Sequence, residues 1–333
     1  MADRILLAHG SGGKATLDLL REVFYPEFGL TAAEAGDAAV LRAAAGRLAI
    51  TTDSFVITPL FFPGGDIGKL AFCGTVNDLA AVGAEPVAIT AAFIIEEGLE
   101  VEVLKKIAKS LGEMARATGI PVVAGDTKVV EKGKADGLFI TTTGLGIVPE
   151  DIDYNPARIK PGDVLLVSGT IGDHGWCIMA LREGIDVGTP VTSDCRPLHR
   201  LVGRLAPLRG AVRTVRDATR GGLGAVLNEW ALQSGATMII REAKIPVREE
   251  VRGGCRLLGL DPLYLANEGK MVVAVAPEKA EEALTLLRED PDGKDAAIIG
   301  EVAAGPARVV MVTEWGTERI VPLPRGEIVP RIC

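Results

Sequence analysis

The sequence predicts an α+β protein of the α/β-like kind, built as two domains and a C-terminal tail. Three observations predict it. Residues 48–148 alternate short apolar strands with helical patterns, which calls for a sheet with helices on it. Residues 149–161 are polar and punctuated by three prolines, as domain boundaries are. A second run of strands and helices then reaches residue 323, and Pro324 and Pro330 keep the last ten residues out of a helix. The expected division is 1–150, 151–323 with a mixed sheet and helices, and a mobile tail over 324–333.

In order, His9-Gly10-Ser11-Gly12-Gly13-Lys14 leads into a helical pattern over 15–24, with Leu17, Leu20, Val23 and Phe24 on its apolar positions. Such a turn can cradle phosphate with backbone N–H groups, or be only a flexible glycine turn. It is not a P-loop, because Ala8 and Ala15 stand where that motif needs Gly and Ser or Thr. Asp37 and Asp53 each sit at the edge of an apolar strand, where an aspartate serves a turn as readily as a ligand. The pattern over 67–83 is apolar around almost its whole circumference, so that helix is expected to be buried, yet Asn77-Asp78 lies inside it. A buried carboxylate needs a cation or a set of donors, which makes Asp78 a candidate functional group.

Residues 87–95 read as a buried strand, 104–115 as an amphipathic helix, and 121–124 as a short strand with Gly125-Asp126-Thr127-Lys128 at its end. Residues 138–148 alternate Thr with apolar side chains, a further strand. Beyond the boundary, 164–167 opens the second domain, followed by Gly169-Thr170-Ile171-Gly172-Asp173-His174-Gly175 and a helix to Leu181. That loop lacks dinucleotide-motif spacing, and His174 is expected to be a structural loop histidine. The strand 212–215 delivers Asp217 and Arg220 at the mouth of a second glycine turn, both further site candidates. Asn267-Glu268-Gly269-Lys270 precedes the strand 271–275, a helix spans 277–289, and two strands near 308–312 and 318–323 hand over to the tail.

Composition removes several classes of function. A net charge of −8 argues against a nucleic-acid partner. The longest apolar run, 87–95, is too short to span a bilayer, and the N-terminal stretch breaks off too soon for a signal peptide. No membrane partner is therefore expected. Five scattered cysteines without a C-x-x-C suit a reduced, cytoplasmic protein, and three histidines make a His-rich zinc site unpromising. The last residue is Cys333: either a frayed end or a nucleophile at the tip of a semi-extended arm. Asp37, Asp53, Asp78 and Asp126 together offer the hard oxygens that Mg²⁺ takes when it bridges protein to substrate phosphates. With the glycine turn and Lys14, they point to an ATP-using enzyme.

These motifs, with Gly36-Asp37-Ala38-Ala39, Thr52-Asp53-Ser54, Val76-Asn77-Asp78-Leu79-Ala80, Arg216-Asp217-Ala218-Thr219-Arg220-Gly221-Gly222 and the terminal Pro330-Arg331-Ile332-Cys333, resemble the HypE family of hydrogenase maturation proteins. That family belongs to the group of aminoimidazole ribonucleotide synthetase and selenophosphate synthetase. The resemblance runs from about residue 9 to the C-terminus. It implies a first domain whose sheet pairs with a second copy in a homodimer. It also implies ATP at Gly12, Gly13, Lys14, Thr52, Asn77 and Gly125, with Mg²⁺ on Asp37, Asp53, Asp78 and Asp126. Cys333 would accept a carbamoyl group from the carbamoyltransferase HypF, and ATP-dependent dehydration would leave a thiocyanate. The cyanide would pass to iron held by HypC–HypD, for [NiFe] hydrogenase. Lys128 and Glu268 are the candidates for electrostatic and proton-transfer roles there, the bland reading of each being a surface or supporting charge. Two alternatives stand beside this: a selenophosphate synthetase-like enzyme, which would be expected to carry a reactive cysteine beside the first glycine turn, and a non-catalytic thiol carrier. The first cysteine here is Cys73, inside the buried helix.

Overall fold

A computed structural model describes residues 3–11, 13–30, 41, 45–185 and 191–323; two large sheets split the strands at about residue 150, and Phe61–Phe62 pairs with Gly65–Asp66 as a small two-stranded ribbon. At the N-terminus a 3₁₀ turn over Leu7–Gly10 precedes α1 (Gly13–Leu19), a π-helical turn over Leu20–Phe24 and α2 (Tyr25–Phe28). Next come β1 (Arg47–Phe55), the two-residue strands β2 (Phe61–Phe62) and β3 (Gly65–Asp66), α3 (Ile67–Ala81), β4 (Glu85–Glu96), α4 (Val101–Thr118), β5 (Val122–Val130) and β6 (Leu138–Val148). The four long strands form one sheet in the order β1-β6-β4-β5, antiparallel except for the parallel β4–β5 pair.

Asp66 starts α3 by accepting the Gly68 and Lys69 N–H groups on its carboxylate, which satisfies two of the donors a helix N-terminus leaves free. The expected all-round burial holds: α3 packs against the sheet on one side and the second domain on the other. α4 shows the other pattern, burying Val101, Leu104, Ile107, Ala108, Leu111 and Ala115 along one stripe, each fully buried Leu or Ile contributing about 1.5–3 kcal/mol. Both helices cover the same face of the sheet. The opposite face is open: Leu48 is 72% and Ile50 75% exposed, with Phe139, Leu145 and Ile147 half-buried beside them.

The second sheet collects β7 (Val164–Val167), β8 (Val212–Asp217), β9 (Thr237–Arg241), β10 (Met271–Val275), β11 (Ala297–Ala303), β12 (Arg308–Val312) and β13 (Glu318–Val321), in the order β13-β12-β9-β11-β7-β10-β8. Its helices are α5 (Asp173–Glu183), α6 (His199–Gly203), α7 (Gly222–Ser234), α8 (Glu249–Leu258) and α9 (Ala280–Arg288). α7 packs Leu223, Leu227 and Trp230 on one face of this sheet, and α6 and α9 pack Leu201, Val202 and Leu287 on the other. β10, buried along its whole length, is an interior strand between β7 and β8.

Three local expectations change. Residues 125–128, expected at the end of a short strand over 121–124, are the middle of β5, because parallel pairing with β4 carries the ladder on to Val130. His174 lies not in a loop but in the first turn of α5, buried, with Nδ1 bonded to Ser193 Oγ at 2.8 Å. The helix expected over 277–289 opens as a 3₁₀ turn at Pro277–Lys279 and becomes α-helical only from Ala280. Among the described residues no helix is long and apolar enough to cross a membrane.

Candidate active site

β1 is an edge strand, and strand alternation turns Thr51, Asp53 and Phe55 towards α3 while Thr52 and Ser54 face outward. Asp78 sits on α3 opposite them, and its Oδ2 accepts the Thr51 hydroxyl at 2.7 Å. From the second domain, β8 ends in Asp217, and the turn after it brings Arg220 to 3.8 Å from Asp53. That turn closes on Gly222, with φ +60 and no room for a Cβ, which would lie 2.5 Å from Leu265 O. The loop 267–270 adds Glu268. These groups line one cavity of about 620 Å³ between the domains.

The cavity is acidic and partly dry. Burial pushes the Asp78 carboxyl above its usual value, against the Thr51 hydrogen bond and with further repulsion from Asp53. Burial, then the Asp78 charge, raises Asp217 to about 7. Glu268 is 2% exposed, and burial first, then Cys195 and Asp217, hold it well above the carboxylate range. Its Oε1 has no hydrogen-bond partner among the described residues. Arginines offset this only in part: Arg216 pairs with Glu229 at 2.9 Å, and the Arg220 side chain is 80% exposed. Carboxyls in this state favour an incoming cation.

Hard oxygens, raised proton affinity and an orphaned carboxyl oxygen fit Mg²⁺ in kind. Among the described residues no three acidic, His or Cys side chains gather closely enough to hold a metal unaided. The residues therefore fit an ion that keeps waters and enters with substrate phosphates, bound by one or two carboxylates, rather than a protein cage. Asp53, Asp78 and Asp217 are the groups within reach of such an ion.

The other expected site residues lie elsewhere. Asp126 pairs across strands with Ala92, then Thr141, then Ser54, so its side chain stands on the open face of the sheet and at the opposite edge from Asp53. Three strand spacings separate the two edges, ~14 Å. Lys128, two residues on, shares that face and bonds both Asp126 carboxylate oxygens at 2.7 Å, which holds the Asp126 carboxyl below its usual value. The glycine turn joins them: a Cβ on Gly10 would lie 2.4 Å from Val129 N, so the turn presses on β5, with Lys14 exposed in the first turn of α1. Gly125 lies on the same strand. One chain thus holds two groups, the Lys14 turn with Gly125, Asp126 and Lys128 at one edge, and Thr52, Asp53, Asp78, Asp217, Arg220 and Glu268 at the other. Asn77 faces neither; it is buried behind α3 against the 196–198 backbone. Gly12, Asp37 and Cys333 lie outside the described residues.

Sequence reading missed Thr51, although its parity with Asp53 on one strand was a usable signal. It also missed Asp194, a buried acid beside Glu268 in a segment with no periodicity. Cys73, Cys177, Cys195 and Cys255 are all buried, and burial raises Cys177 to about 11 and Cys255 to about 12, so these thiols are poor nucleophiles.

Residues 35–148 match the family model described as AIR synthase related protein, N-terminal domain, and 160–313 the one described as AIR synthase related protein, C-terminal domain. A carbamoyl dehydratase HypE of Bradyrhizobium diazoefficiens is 49% identical over 330 residues, covering 98% of this chain and 95% of that protein. The crystal structure of a hydrogenase maturation protein HypE in complex with ATP is 46% identical and superposes with a TM-score of 0.94, over 98% of this chain and 99% of that one. A chain of the crystal structure of a HypE–HypF complex is 52% identical with a TM-score of 0.81, covering 83% of this chain and 90% of that one. With relatives this similar over nearly their full length, and both halves of the fold matched, the chain belongs to the HypE family of hydrogenase maturation proteins.

Proposed function

We propose that this protein is an ATP-dependent carbamoyl dehydratase acting on its own C-terminal Cys333. A carbamoyl group placed on the thiol by a HypF-type carbamoyltransferase has the form S–C(=O)–NH₂. Transfer of the γ-phosphoryl of ATP to the amide oxygen releases ADP and turns that oxygen into a leaving group. Loss of both N–H protons and of phosphate then leaves S–C≡N, and the cyanide is available for iron on a HypC–HypD scaffold. Mg²⁺ supplies charge neutralisation on the phosphates. The observation that carries this reading is Glu268, a buried carboxyl with an unpartnered oxygen in a cavity shared with Asp53, Asp78 and Asp217. Raised proton affinity makes it a stronger base once ionised, and the cations that arrive with nucleotide favour its ionised form. The four described cysteines are all buried, which supports Cys333 as the thiol that takes the carbamoyl group.

The site is completed by a second copy. The open sheet face, with Leu48 and Ile50, supports pairing of the first sheet across a two-fold axis in a homodimer. Such pairing turns the Lys14, Asp126 and Lys128 edge of one chain towards the Asp53, Asp78 and Glu268 edge of the other. Each site would then hold nucleotide and Mg²⁺ with Asp126 and the glycine turn from one copy, and Asp53, Asp78 and Asp217 from its mate. The boundaries 1–150, 151–323 and 324–333 and a cytoplasmic location belong to the same reading. Intact-protein mass spectrometry tests the chemistry: the carbamoylated protein should lose the mass of one water on addition of Mg-ATP, and Cys333→Ala should show neither modification. A carbamoyl adduct that persists unchanged with ATP turning over would refute it.

A further inference from the structure

Glu268 has one carboxyl oxygen buried without a partner among the described residues, so its aim depends on its main chain. Two buried side chains grip that main chain from opposite sides. Asp194 accepts the Glu268 N–H on Oδ1 at 3.0 Å and the Lys270 ammonium on Oδ2 at 3.1 Å. Asn77 donates from Nδ2 to Glu268 O at 3.3 Å and to Arg196 O at 3.1 Å, and its Oδ1 accepts the Leu198 N–H at 2.7 Å. An asparagine amide has two N–H donors, and both are used here. The loop is also closed from below: a Cβ on Gly269 would lie 1.9 Å from Asp194 O, so only glycine lets residue 268 rest on this bracket. Asn77 immediately precedes Asp78 on α3. One helix therefore sets the position of the acid that faces the phosphates and, through the bracket, of the acid that faces the amide.

We propose that Asn77 and Asp194 are positioning residues for Glu268, and that Asn77 is not a nucleotide ligand. This rests on the proton-transfer role proposed for Glu268. Neither residue reaches the cavity's reacting groups; they act by holding the 268 peptide from both sides. Asn77 bridges the first domain to the 267–270 loop through its amide, so shortening that side chain releases this hold on Glu268 while leaving Thr51, Asp53 and Asp78 in place.

The test measures conversion of the carbamoylated tail by the full-length protein. Asn77→Ser is expected to lower kcat about 100-fold, the size of effect an ångström of misplacement produces, with KM for ATP changed less than about twofold. In a Glu268→Gln background the same substitution should cost under about threefold, since nothing remains to position. Asp194→Asn, which keeps an acceptor for the Glu268 N–H, should retain more activity than Asp194→Ala. Weakened ATP binding with kcat preserved would make Asn77 a nucleotide ligand and overturn the proposal, and so would an undiminished loss in the Glu268→Gln background. Should Asn77→Ser fail to unfold cooperatively, the Asp194 pair decides the matter, equal losses in both variants overturning it. A wild-type protein that leaves the tail unconverted refutes the function and this proposal together. A converting wild type with either adverse pattern refutes the proposal alone.

Discussion

Lys128 and Glu268 offer a direct test of the composite site. Within one chain they occupy opposite edges of the first sheet's surroundings, Lys128 on β5 and Glu268 beside β1, with ~14 Å of sheet between the edges. Lys128 also points out of the open face, bonded to Asp126, and its side chain cannot turn through the sheet to reach the cavity. The perturbation is a pair of variants, Lys128→Ala and Glu268→Gln, each expected to slow conversion of the carbamoylated tail by about 100-fold or more while leaving a measurable residual rate. Mixed in equal amounts and allowed to exchange subunits, half the dimers become hybrids. Each hybrid has one site with both residues intact and one with both altered. Turnover should therefore return to about one quarter of wild type, the share expected for one good site in half of all two-fold symmetric dimers. The assay is the mass shift of the tail with Mg-ATP, and the hybrid fraction is measured independently by native mass spectrometry. Hybrids formed in the expected proportion with no recovered turnover would show that each chain completes its own site, and the composite reading would fall.

The same geometry sets other outcomes. Asp78→Asn and Asp126→Asn should keep the fold, since neither holds a core contact, yet abolish ATP hydrolysis; unchanged turnover in both would remove them from the metal site. Asp217, raised from 3.8 to about 7, is held neutral by burial, so its contribution to stability is fully present below its unfolded value and is lost as pH rises through about 7. Thermal unfolding of the nucleotide-free protein should track that loss, while Mg-ATP affinity, which prefers the ionised form, should rise over the same window with release of protons. Asp217→Asn should flatten both curves, and a binding profile unaltered by it would contradict the assignment. Gly254 packs where a Cβ would lie 2.1 Å from the Trp176 ring, so Gly254→Ala should cost about 1–3 kcal/mol and lower the midpoint of thermal unfolding. A midpoint within a degree of wild type would show that α5 and α8 adjust freely.

The sequence by itself determined what depends on neighbouring residues. Apolar side chains around the whole circumference of α3, with Asp78 among them, announced both a buried helix and a carboxylate held in a half-buried setting. Strict alternation along β6 and the amphipathic stripe of α4 were legible for the same reason: covalent spacing sets which residues share a face. The motifs that carry the family resemblance are likewise contiguous. Tertiary structure decided what depends on pairing between distant segments. Polar residues at 125–128 end the apolar run and so read as the end of the strand, but the ladder to β4 is made by main-chain groups indifferent to those side chains. The register of that ladder then put Asp126 and Lys128 on the open face, away from Asp53. In the sequence, Asn77 is a polar residue beside Asp78 inside an apolar helix, and the resemblance implies ATP there. Only the fold brings it to Glu268, 191 positions along the chain, where its amide is spent on holding the backbone. Side-chain chemistry is local, but its direction and its partners are set by which strands and loops the chain brings together.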